Sequence, residues 1–193
     1  MKFRTMLFAA TMAGAVSGAA QANEFEPALR DFAAKQVRVW IADAKVVAAI
    51  KAQNKETGAY SEEKIVSLDK QWRSETSQDA RPLIDSVLKR GISDYLRSKK
   101  DETQGMVTEI FVMDAKGLNV GQSDVTSDYW QGDEAKWKET FLKGPDAMHV
   151  SEVEQDESTQ SFQSQVSLPI VDPANGQVIG AVTVGVNVEQ LAQ

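Results

Sequence analysis

Phe162-Gln163-Ser164-Gln165-Val166-Ser167-Leu168-Pro169-Ile170, the turn Asp172-Pro173-Ala174-Asn175-Gly176, and then Val178 to Asn187 form the stretch on which the fold turns. Both runs alternate with a period of two, as half-buried strands do. The residues between them are turn formers. An antiparallel hairpin with Val171 opposite Gln177 sets Leu168 against Gly180, Val166 against Val182, Gln165 against Thr183 and Ser167 against Ala181. A slip of one residue would mix valines with glutamines on both faces. The hairpin therefore has one apolar face and one face of small polar residues. That second face reads either as a wetted sheet surface or as a pocket floor offering Gln165, Ser167 and Thr183.

Working backwards, Met106 to Met113 reads as a central strand, and Asp114-Ala115-Lys116-Gly117 as a turn with Gly where φ is positive. Leu118 to Gln122 returns, and His149 to Glu154 supplies another strand, giving a five-stranded antiparallel sheet. The chain before residue 101 is helical. Leu29, Phe32, Ala33, Val37, Trp40, Ile41, Ala44, Val47 and Ile50 recur at steps of three and four, which predicts one long helix from Glu24 to about Lys55. A short helix is predicted from Ser61 and another from about Asp79, the latter with Ile84, Val87, Leu88, Ile92 and Leu96 facing inward. The fold class is α+β: a long N-terminal helix and two further helices packed on a five-stranded sheet.

Charge follows the same division. Residues 23–100 hold 15 Lys/Arg against 12 Asp/Glu, whereas residues 101–193 hold 4 Lys and no Arg against 16 Asp/Glu. The two halves read as two layers of one domain, since about 170 residues suit a single domain. The net charge of −7 disfavours nucleic acid, and the absence of cysteine removes thiolate metal sites, disulfides and a cysteine nucleophile. His149, the sole histidine, has no metal-ligand spacing and reads as structural. Asp114 and Gly117 match a calcium loop in two positions only, without its terminal Glu, and Glu152, Glu154, Asp156 and Glu157 read as a solvated run. No paired catalytic motif is present, so no enzyme, cofactor or metal is expected.

Lys2 and Arg4 precede an uncharged apolar run, Met6 to Ala20, and Ala20-Gln21-Ala22 offers small residues at a cleavage site. This is the order of a cleaved secretory leader. It predicts a signal peptide over residues 1–22 and one domain over residues 23–193, free in the periplasm. The competing reading is a retained membrane anchor, for which the apolar run is shorter than the roughly 20 residues a bilayer needs. The candidate ligand site lies between the second and third strands. There Asp128, Tyr129 and Trp130 sit in a loop after Asp124, followed by a short helix with Trp137 and Phe141 four apart. Aromatic faces beside carboxylates suit a cation at about 0.5–2 kcal/mol per contact. The competing reading is that these aromatics pin the crossover to the sheet.

Val107-Thr108-Glu109-Ile110-Phe111-Val112-Met113-Asp114-Ala115-Lys116-Gly117-Leu118-Asn119-Val120, Asp128-Tyr129-Trp130-Gln131-Gly132-Asp133-Glu134 and the closing Pro173 to Val182 resemble the Cache (PDC-type) extracytoplasmic sensor domain, a PAS-like fold. The resemblance covers the whole chain after residue 22. It implies a small-molecule pocket between the sheet and the crossover loops, where Tyr129 and Trp130 fall. Relatives that take carboxylates use Arg or Lys there. This sheet half has no Arg and few Lys, which turns the expectation to an amine, a quaternary ammonium or a neutral ligand. Such domains stand between two membrane helices of a chemoreceptor or histidine kinase. The sequence stops at Gln193, about where the second helix would begin, so a free-standing periplasmic form signalling through a partner is expected. The site residues so drawn are Asp128, Tyr129, Trp130, Trp137, Gln165, Ser167 and Thr183. The alternative is a docking protein without a ligand, whose basic helix face (Lys35, Arg38, Lys45, Lys51, Lys55) meets a membrane sensor or a second copy in a homodimer.

Overall fold

The computed structural model describes residues 23–155 and 161–192. The leader reading, residues 1–22, lies outside them. The expected long helix is not continuous. α1 (Glu26–Phe32) runs through a π-helical turn at Ala33–Val37 into α2 (Arg38–Ile41), and the chain then breaks before α3 (Ala44–Thr57). Asp43 causes the break: its backbone is extended (φ −60°, ψ 135°) and its carboxylate caps α3 by accepting from the Lys45 N–H at 2.8 Å. Across the break the buried positions step by five, from Ile41 to Val46, so Ala44 is exposed and Val46 is buried.

α4 (Glu62–Glu75) is as long as α3, not short. Ser61 accepts from the Lys64 N–H at its start, and Glu62 and Glu63 complement the positive end of the helix dipole. The third predicted helix is two: α5 (Pro82–Leu88) and α6 (Gly91–Glu102). Arg90, between them, is extended and sends its guanidinium to Gln53 Oε1 at 2.6 Å and Val120 O at 2.9 Å. Glu75 closes the turn from α4 to α5: its Oε2 accepts from the Leu83 and Ile84 N–H groups at 2.8 and 3.0 Å.

The sheet has β1 (Val107–Met113), β2 (Asn119–Gln122), β5 (Phe162–Val171) and β6 (Val178–Asn187), with β6 central and every pairing antiparallel. The expected third strand is two short pieces along β5, β3 (His149–Val150) and β4 (Glu154–Gln155). Ser151 interrupts them: its hydroxyl accepts from the Gln165 N–H, and its carbonyl accepts from the side chains of Asn23 and Ser164. The crossover from β2 to β3 carries one short helix, α7 (Ala135–Lys138).

The hairpin register differs from the expected one by two residues. Leu168 faces Val182, Val166 faces Val184, Ser167 faces Thr183 and Gln165 faces Gly185. Asp172 and Gln177 close the turn, Val171 faces Val178, and a bulge between Ile170 and Val171 adds the second residue of displacement. A shift of two returns every side chain to its own face, so the faces are as read and only the partners change. Ile110, Val112, Val166, Leu168, Ile170, Val182, Val184 and Val186 form the inner face and pack on Leu29, Phe32, Val37, Val46, Ile50, Ile92 and Leu96 of the helices. A last turn, α8 (Val188–Leu191), is capped by Asn187.

Candidate functional site

Pairing fixes what stands on the outer face. Directly opposed residues share a face, so one row crosses the sheet: Gln122, Phe111, Thr183, Ser167 and His149. The next row holds Glu109, Gly185 and Gln165. A Cβ at Gly185 would lie 2.5 Å from Thr108 Oγ1 and 2.8 Å from Glu109 Cγ. Glycine there lets both side chains cross the β6 backbone. Gln165 Nε2 then donates to Glu109 Oε1 at 2.8 Å, and Thr108 Oγ1 donates to Gln163 Oε1 at 2.9 Å.

Half of this face is covered. α7 and the turn after it lay Trp137 and Phe141, stacked with centroids 4.7 Å apart, on Phe111, Met113 and Ala181. Trp137 Nε1 donates to Asp114 O at 3.1 Å, which fixes the ring. The other half is open as a cavity of about 260 Å³ between the start of α7 and strands β3, β4 and β5. Glu134, Lys136, His149, Ser151, Glu154, Gln163 and Gln165 line it. Lys136 Nζ sits 2.8 Å from Glu134 Oε2 and 5.6 Å from the centre of the Phe111 ring, so its charge is already shared. His149 is half-buried, and burial holds its imidazole below the ordinary range; Lys136 and Arg30 act in the same direction, and Glu139 against it.

Of the residues drawn from sequence, Gln165 alone lines this cavity. Ser167 and Thr183 are fully buried beside it, their hydroxyls 2.9 Å apart. Trp137 belongs to the cover. Asp128, Tyr129 and Trp130 lie elsewhere, in a strap over the edge of β2, where each has a protein partner. Asp128 pairs with Arg73 Nη1 at 2.9 Å, although burial raises its carboxyl above the usual range. Tyr129 is 4% exposed, stacks on Trp72 with centroids 5.3 Å apart, and has its hydroxyl pushed up to about 12 by burial. Trp130 donates its indole N–H to Lys116 O at 2.8 Å. The Tyr129 and Trp130 backbone N–H groups both donate to Asp69 Oδ1 of α4, each at 3.0 Å. The strap also pairs with the β2 edge, Asn119 N–H to Tyr129 O and Gln131 N–H to Gly117 O. Gly117, at φ +82°, makes this close approach: a Cβ there would meet the Gly132 backbone at 2.6 Å.

Glu134, Lys136, His149, Ser151, Glu154 and Gln163 were not in the sequence-derived set. The alternation that carries Gln165 carries Gln163 as well, and His149 follows from its place opposite Ser167. Glu134 and Lys136 come from the crossover, whose path over the sheet has no local signal. Ser151 and Glu154 come from the segment read as one strand, His149 to Glu154, which the structure breaks after Val150.

No family model and no curated protein matches the chain. Solved structures do. The ligand-binding domain of the Pseudomonas aeruginosa amino acid chemoreceptor PctC in complex with GABA is 17% identical, over 67% of this chain and 58% of that one, with a TM-score of 0.39. The ligand-binding domain of the Campylobacter jejuni chemoreceptor Tlp3 in complex with 4-methylisoleucine is 14% identical, over 86% and 61%, with a TM-score of 0.40. The sensor domain of the V. cholerae histidine kinase DctB is 13% identical, over 88% and 60%, with a TM-score of 0.38. The chain spans about three-fifths of the length of these domains. Among the described residues no helix is long and apolar enough to cross a membrane.

Proposed function

We propose that the chain is a small-molecule-binding sensor module of the periplasm, and that the cavity between α7 and strands β3 to β5 takes a small ligand carrying an amine or quaternary ammonium group. One observation carries the ligand class: the cavity wall has two carboxylates, Glu134 and Glu154, against one lysine already paired with Glu134. Glu109 adds a third carboxylate behind Gln165. A cation entering this field gains more than an anion does. In this reading Gln165 and Gln163 orient the ligand, and Trp137 holds the cover in place. Asp128, Tyr129 and Trp130 act from outside, fixing where α7 starts.

Output runs through a partner. A membrane histidine kinase or chemoreceptor, or a second copy meeting it across the face of α1 to α3, is the partner proposed. The test is a thermal-shift screen with amines, quaternary ammonium compounds, amino acids and dicarboxylates. A ligand that binds only the folded state at a hundred times its dissociation constant adds about 2.7 kcal/mol of apparent stability. The expected result is stabilisation by cations that weakens in Glu134→Gln. Stabilisation by dicarboxylates alone refutes the ligand class, and silence across the panel refutes the sensor reading.

A further inference from the structure

We infer that His149 makes this cavity release its cation in acid. The inference rests on the reading of the cavity as a cation site, and it adds a regulator to that site. Its ground is geometric. His149 stands directly opposite Ser167 on the β3 edge, so its ring lies on the outer face, and it lines the same cavity as Glu134 and Glu154. It is the sole histidine of the chain.

Among the described residues, the charges around it come from three sides. α7 and the turn after it bring Glu134, Lys136 and Glu139, α1 brings Arg30, and β4 brings Glu154. The described cavity residues of β5, Gln163 and Gln165, are uncharged. With the ring neutral, the carboxylates outnumber the one lysine at the cavity wall. Burial, Lys136 and Arg30 keep it neutral near pH 7, with Glu139 opposing them. Once protonated, it places a positive charge on the wall and cancels the field that held the ligand. Two unit charges about 6 Å apart at an effective dielectric near 40 change affinity about tenfold. By reciprocity, a bound cation moves the histidine midpoint down by about one pH unit.

Tetramethylammonium and methanesulfonate test this, because neither ion changes charge between about pH 8 and pH 5. The imidazole resonances of the purified chain, which report His149 alone, are followed against pH without ions and with each ion at saturation. The expected result is a midpoint lowered by tetramethylammonium, with affinity for that ion falling about tenfold into acid. His149→Gln is expected to flatten the pH dependence, whatever it does to affinity itself. Tetramethylammonium binding that leaves the midpoint unmoved, or pH dependence that survives in His149→Gln, overturns the inference and leaves the cation reading standing. Methanesulfonate binding in place of tetramethylammonium, with the midpoint raised, overturns the cation reading and the inference with it. Binding of neither ion does the same.

Discussion

Replacing Asp69 with alanine tests whether one carboxylate holds the strap to the helices. Asp69 is 8% exposed, and its two oxygens take three donors: the Tyr129 and Trp130 N–H groups at 3.0 Å, and Arg73 Nε at 2.8 Å. Alanine leaves both backbone N–H groups without that acceptor under a packed loop. Each unpaired buried donor costs about 1–3 kcal/mol. Arg73 keeps Asp128, and its own guanidinium is more than half exposed, so its share is small. The sum expected is about 2–6 kcal/mol. For a domain of this size each kcal/mol lowers the melting temperature by about 2–4 °C, so the shift is roughly 4–24 °C. Asp69→Asn keeps an acceptor for the two N–H groups but turns an amide donor towards Arg73 Nε in place of the second oxygen, which predicts a smaller loss of about 1–2 kcal/mol. Urea unfolding of the three proteins, with equal slopes, is the assay. Asp69→Ala within about 0.5 kcal/mol of the parent, or Asp69→Asn as damaging as Asp69→Ala, refutes the reasoning.

The hydroxyl pair under the cover gives a coupling test. Ser167→Ala or Thr183→Val alone should cost about 1–3 kcal/mol by stranding its partner 2.9 Å away, and the double substitution should cost less than the sum, as a double-mutant cycle in denaturant will read. Tyr129 gives an alkaline signature: its hydroxyl is pushed from 10.0 up to about 12 in the folded chain, so the buried neutral form contributes stability that is complete below about pH 10. That contribution, about 2–3 kcal/mol, is lost as pH rises from 10 towards 12. Tyr129→Phe should lack this alkaline fall, and a parent curve parallel to the variant's over that range would contradict the assignment.

Strand identity and faces were legible because alternation is a local property, and Val166, Leu168, Val182 and Val184 all lie inward as read. The register was not, because a displacement of two preserves every face; only the Ile170 bulge and the Asp172 turn distinguish the two pairings. The break at Asp43 was not legible, because Ile41, Ala44, Val47 and Ile50 keep an unbroken helical spacing across it; the step of five from Ile41 to Val46 shows only in which residues are buried. Tyr129 and Trp130 look alike as loop aromatics whether they meet a ligand or a helix. What places them is Asp69 and Trp72, some sixty residues earlier, and that pairing exists only in three dimensions.

The strap across β2 also bears on how another protein could reach this one. Exposed strand edges invite a foreign strand to add itself by backbone pairing. Here one border of the sheet is already occupied, by Asn119 bonded to Tyr129 O and Gln131 bonded to Gly117 O. The opposite border offers β3 and β4, two residues each, parted at Ser151. Among the described residues, strand addition is thus narrowed on one border by the strap and broken on the other at Ser151, where β5 runs on past β3 from Leu168 to Val171. Recognition that instead reads side chains, on the helices or on the α7 cover, can be changed one residue at a time without disturbing the sheet.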